Sequence, residues 1–95
     1  MVTISWTNEA LDDLQQIAEY LDQRSYALSA ATVQAIFDRI ENLEKFPKIG
    51  RVVPEFKLEF VREIIYSNYR IVYHIIDTYR IDIIAIHHSS RPLRK

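Results

Sequence analysis

The stretch FVREIIYSNYRIVYHIIDTYRIDIIAIHHSSR, residues 60–91, decides the fold. It divides into three runs rich in Ile, Val and Tyr, at 61–66, 69–76 and 80–87, separated by Ser67-Asn68 and Asp77-Thr78-Tyr79. β-Branched and aromatic residues suit a pleated surface, and breaks of two or three residues are hairpin lengths. Three successive antiparallel strands are therefore predicted. Alternation assigns their faces. Ile71, Tyr73 and Ile75 share one side of the middle strand and Val72 and Ile76 the other, while in the third strand Ile81, Ile83 and Ala85 oppose Ile84 and Ile86. Both sides of the central sheet are apolar, where a sheet with one wet face would alternate apolar with polar.

The segment before it, FPKIGRVVPEF at 46–56, holds two of the three prolines and the only glycine. Pro47 closes off a preceding helix, because proline disfavours helical backbone in the residue before it. Gly50 permits a bend that a side chain would resist. Pro54 cannot donate to a ladder, so the segment reads as a tight connector with a brief edge strand near 51–53. Its Lys48, Arg51 and Lys57 are placed to line a groove.

At the other end, Val2, Ile4 and Trp6 alternate with Thr3 and Ser5, the pattern of a half-buried strand. Thr7 or Asn8 then caps a helix over residues 8–23, with Leu11, Leu14, Ile17, Ala18 and Leu21 on one face and Glu9, Asp12 and Asp13 near its positive end. Residues 24–28 show no period. Ser29 is the expected N-cap of a second helix, whose stripe of Val33, Ile36, Phe37, Ile40 and Leu43 stops before Pro47. Two such helices on a short link pack as an antiparallel hairpin, with Tyr20 and Tyr26 at its far end read as packing residues with wet hydroxyls. The expected architecture is α+β in one domain over 1–95: an N-terminal strand, a two-helix antiparallel hairpin, then a mainly antiparallel sheet. The hairpin covers one sheet face. The other must be covered by a partner chain or by curling of the sheet itself.

Composition is that of a small globular domain: 95 residues, 48% hydrophobic and 26% charged. No apolar run approaches a membrane span and no charged-then-apolar leader follows Met1, so a soluble, unprocessed, cytoplasmic chain with no membrane partner is expected. With no cysteine there is no disulfide or thiol chemistry. Three histidines without a helical i, i+4 pair make no metal-ligand set, and no cofactor is expected. The net charge of −1 conceals an asymmetry. Residues 1–44 carry eight acids against two bases, net −6, and residues 45–95 carry ten bases against five acids, net +5. The basic half is suited to phosphate or to an acidic partner, and equally to a solvated surface.

Order and wording together carry a family resemblance. A strand before a helical hairpin, FPKIGR after the second helix, then VREI, YRIVY and the ending IHHSSR resemble the toxins of the RelE/ParE superfamily from bacterial type II toxin-antitoxin systems. The resemblance covers nearly the whole chain and implies a compact αβ domain held inactive by an antitoxin wrapped around it. It also splits on mechanism. RelE-type members resemble ribosome-dependent mRNA endonucleases, and ParE-type members resemble poisons of DNA gyrase that act by binding.

Cleavage through a ribose 2′-hydroxyl needs a base, an acid and cations on the phosphate. Arg70 and His88 match catalytic positions of the YoeB-like nuclease branch. No residue is assigned to that branch's catalytic glutamate, which would fall near 53–55, and the lysine cluster of the RelE-type nucleases is poorly matched. The spacing of His88, Ser89, Ser90 and Arg91 resembles the ParE-like ending. A net charge of −1 is also a poor footprint for the phosphate-dense ribosome.

The ParE-like reading is therefore preferred, with gyrase as target. Ribosome and mRNA are the alternative, and a non-toxic antitoxin-binding relative is a third class. What the resemblance implies for sites is as follows: Arg51, Arg62, Arg70, His88 and Arg91 for target binding, and Arg70 with His88 for catalysis only in a nuclease. Tyr73, Ile75, Ile83, Ile84 and Ile86 are the candidates for the face buried by a cognate antitoxin, and the expected assembly is a homodimer or a toxin-antitoxin hetero-oligomer. His74 reads as a core or interface histidine. Of His87 and His88, on opposite sides of a strand, one is structural.

Overall fold

Thr7 fixes how the chain leaves its first strand. In the computed structural model, which describes residues 2–89, its hydroxyl oxygen accepts the Ala10 N–H at 3.1 Å and caps helix α1 (Asn8–Asp22). The same hydroxyl donates to the Ile83 carbonyl at 3.2 Å, so one side chain fastens the helix to the sheet. Strand β1 (Thr3–Trp6) precedes it.

Helix α2 (Tyr26–Glu41) starts four residues earlier than a cap at Ser29 implies. Ser25 is its N-cap, accepting the Leu28 N–H at 3.1 Å. Ser29 is buried in the helix instead, where its hydroxyl donates to the Ala18 carbonyl of α1 at 3.2 Å and ties the hairpin together. Tyr26 is not a packing residue: it is 79% exposed. Tyr20 is half-exposed, beneath the Arg24 guanidinium, which also donates to its hydroxyl. A 3₁₀ turn, Asn42–Glu44, finishes α2 ahead of Pro47.

The five remaining-chain and N-terminal strands form one mixed sheet of order β1-β5-β4-β3-β2, with β2 (Arg51–Val52), β3 (Val61–Tyr66), β4 (Tyr69–Ile75) and β5 (Arg80–His88). All neighbours are antiparallel except β1, which runs parallel to β5 with Ile4 beside Ile81 and Trp6 beside Ile83. The turn at Ser67-Asn68 places Ser67 at φ 53°, the left-handed region favoured in two-residue hairpins.

One irregularity changes the expected faces. Val72 stands across from Ala85 but Tyr73 from Ile83, so Ile84 is an extra residue in a β-bulge. The bulge returns Ile86 to the side of Ile81 and Ile83, where all three join Ile71, Tyr73, Ile36, Ile40, Leu43 and Ala10 in the core under the helices. Alternation had put Ile86 opposite Ile83. Beyond the end of β1, the β5 backbone finds a partner in Asp13, whose carboxylate accepts the Ile86 N–H at 3.0 Å.

The second face is not left to a partner alone. The connector folds across it, burying Val53 against Val61 and Val72, with Phe56, Ile84 and Ala85 packed around them. Leu58, Phe60 and Ile65 remain 44–47% exposed. Among the described residues, no helix is long and apolar enough to cross a membrane.

Candidate functional site

Arg70 enters the second face from the second position of β4, and a guanidinium there must be paired or leave a buried charge. It is paired twice. Its Nε donates to Glu63 Oε1 at 2.6 Å, and Nη1 and Nη2 donate to the two oxygens of Glu55 at 2.6 and 2.7 Å. Glu63, on β3, is fully buried and also accepts from Arg51 Nε at 2.6 Å through its other oxygen. Four alternating charges thus join the connector, β2, β3 and β4.

The electrostatics follow from the hydrogen bonds. The Arg70 fork holds the Glu55 carboxyl down at about 2, with burial opposing and the charge of Arg51 assisting. Glu55 in turn raises the pKa of Arg70, against the cost of its burial. No buried side-chain nitrogen or oxygen among the described residues lacks a hydrogen-bond partner.

The predicted site residues do not converge. Arg70 stands across from His87, whereas His88 stands across from Tyr69, so Arg70 and His88 project from opposite faces of the sheet. His88 packs edge-on against the Tyr69 ring, 5.6 Å between centroids. It borders a depression of about 450 Å³ shared with Asp13, Gln16, Ile17, Tyr20, Tyr69, Ile86 and His87. Arg62 lies on the helix side, where Nη1 donates to the Gly50 carbonyl at 2.9 Å and Nη2 to Glu59 at 2.7 Å. Among the described residues, only Arg51 and Arg70 of the predicted cations come together, through Glu63. Arg91 lies outside the described residues.

The residues expected to meet an antitoxin are likewise spread over the fold. Tyr73 and Ile83 are fully buried and Ile86 is 4% exposed, all beneath the chain's own helices. Ile84 is half-buried in the second-face cluster. Ile75 reaches a wide apolar depression of about 800 Å³, which it lines with Val2, Phe46, Pro47, Lys48, Ile49, Asp77 and Thr78. Phe46 and Ile49 are each 59% exposed there. His74 is half-buried on the second face beside Phe60, with ring centroids 5.4 Å apart.

Sequence reasoning missed the roles of Glu55 and Glu63. Their signal is present: Glu63 sits two residues from Val61, and Arg70 two from Val72, on one face of otherwise apolar strands. Charges placed there need each other. Among the described residues no group of three potential ligands is placed to hold a metal ion.

Comparison with known proteins bears on the whole of this arrangement. A solved structure described as the chromosomal ParDE TA system from P. aeruginosa matches with a TM-score of 0.73 at 21% identity, covering 93% of this chain and 96% of that chain. No curated protein matches. The family described as the ParE toxin of the type II toxin-antitoxin system parDE matches residues 4–93, a span that takes in β1, the helical hairpin, the connector and the sheet. The chain belongs to the ParE toxin family of type II toxin-antitoxin systems.

Proposed function

We propose that this chain arrests bacterial growth by binding DNA gyrase in the cytoplasm, and that a cognate antitoxin neutralises it. The observation that carries the reading is the separation of Arg70 from His88. One is charge-compensated by two glutamates on the second face, and the other sits on the helix side. A nuclease would need both at one phosphate, whereas a toxin acting by binding needs neither as an acid or base. The exposed apolar depression around Phe46 and Ile49 offers the antitoxin a surface whose burial would be favourable.

The test is induction without antitoxin, followed in the same cells by DNA-break signalling and by mapping of mRNA 5′ ends. Breaks with intact messages are expected, together with loss of toxicity in gyrase-resistant hosts. Codon-positioned cuts preceding any breaks would overturn the reading.

One observation favours a second reading, an endoribonuclease. Glu55, Arg70 and His87 share the second face, so a glutamate, an arginine and a histidine stand on the same side, with His87 in the place expected of His88. Against it, a carboxyl held at about 2 is a weak general base at neutral pH.

A further inference from the structure

Glu55 occupies the position a ligand would take. Both oxygens of the buried Glu63 are engaged by arginine Nε atoms, one from Arg51 and one from Arg70, which fixes the two guanidiniums side by side at the sheet surface. The outward Nη1/Nη2 fork of Arg70 is filled end-on by Glu55. That glutamate belongs to the connector rather than to the sheet, and its side chain is 32% exposed. Arg51 is open to solvent and makes no hydrogen bond through its own Nη atoms among the described residues. Removing Glu55 from this group would leave two guanidiniums over one buried carboxylate, a net positive charge facing outward.

We propose that Arg51 and Arg70 form a recognition site for an acidic side chain of a protein partner, closed in the free chain by Glu55, whose place the partner's carboxylate takes. The fork already holds a planar carboxylate through two parallel hydrogen bonds, the geometry in which arginine reads such groups. Ile65, directly across from Arg70 on β3, and Phe56 in the connector give the site an apolar margin. A peptide side chain suits that margin. A nucleic-acid backbone would call for a run of further cations. The partner loses none of the charge balance, because one carboxylate replaces another. The internal occupant lowers apparent affinity by the fraction of time the site is closed, so the free chain discriminates against isolated acids and responds to a partner that brings additional contacts.

The inference rests on the binding reading above, but the two fail separately: the titration below reads this site alone, and the induction assay reads the cellular target alone. The full-length wild type, E55A, E55D and E55A/R51A are titrated at constant ionic strength with a blocked triglutamate peptide and, separately, with inorganic phosphate. The arginine Nε–Hε signals of Arg51 and Arg70 are followed by NMR. E55A should bind the peptide about tenfold or more tightly than wild type, with both arginine signals moving, and E55A/R51A should lose that gain. E55D keeps the charge but is one methylene short. It should fall between wild type and E55A, and it carries the test if E55A does not fold. Equal affinity for wild type and the Glu55 variants, unmoved Arg51 and Arg70 signals, or tighter binding of phosphate than of peptide would each overturn the proposal.

Discussion

Gly50 lies against Tyr73 so closely that a Cβ on it would fall 2.8 Å from both the ring Cε1 and the hydroxyl oxygen, and 2.6 Å from the Glu63 carbonyl. The glycine is therefore required by close approach, and its φ is not in the left-handed region. G50A should destabilise the fold by about 1–3 kcal/mol, the usual cost of overpacking. A lower urea midpoint with an unchanged m-value would show it. Y73F should give little relief, since the Glu63 carbonyl still blocks the methyl.

The Tyr73 hydroxyl accepts the Gly50 N–H at 3.0 Å and donates to the Pro47 carbonyl at 2.7 Å, pinning the loop before β2 to the sheet. Y73F leaves a buried amide without a partner and should cost about 1–3 kcal/mol. Burial raises the Tyr73 pKa above its ordinary 10, with the Gly50 N–H and the charge of Arg62 opposing. Its stabilising contribution is then fully present below pH 10 and is lost as pH rises past that value. The stability gap between wild type and Y73F should narrow in that alkaline range.

Acid should act through Glu55. Its carboxyl is lowered from 4.5 to about 2, so its contribution is present above about pH 4.5 and is lost as pH falls toward 2. Denaturation across this window should find E55Q less stable than wild type at neutral pH, with the two converging near pH 2. Parallel curves over the whole range would show that the Arg70 pairing contributes nothing to folding.

Breaking the buried charge group from one side should be costly. R70A leaves Glu63 in the interior with Arg51 as its remaining partner and should lose about 3–5 kcal/mol. R70M/E63L removes both buried charges and should recover most of that loss. H88A, whose ring meets Tyr69 edge-on, should change stability by less than about 1 kcal/mol. Chemical denaturation of the four proteins checks all three expectations.

The apolar depression provides a test of the proposed antitoxin interface. Phe46 and Ile49 are well exposed, so F46D and I49K should leave the unfolding midpoint nearly unchanged while weakening antitoxin binding by about tenfold or more, as expected for interface anchors. Calorimetric titration of each variant with the cognate antitoxin decides it. Unaltered affinity in both would place the antitoxin elsewhere.

The elements themselves were legible because each rests on local rules. The Thr7 cap, the proline after α2 and the two short turns act within a few residues and are found where the chain places them, whereas in α1 the expected Leu11 is exposed and Ala10 is buried in its stead. The α2 start was misread because Ser25 and Ser29 are both good caps, and only the packing against Ala18 uses Ser29 differently. The candidate site was less legible. Glu55, Glu63 and Arg70 come from three segments, and no periodicity links a connector glutamate to a strand arginine.

By itself, the sequence determined the order of elements, the antiparallel pairing of the last three strands and the family, because propensity, capping and turn length are read along the chain. The tertiary structure decided which residues face each other. The bulge at Ile84 shifts everything after it by one face, which counting in twos cannot detect. It therefore puts Ile86 in the core and His88 on the side away from Arg70. The connector, tied down by Tyr73, Arg62 and Arg70, covers a face that alternation alone left open. These are contacts between segments distant in sequence, fixed by packing and charge pairing that exist only once the sheet has formed.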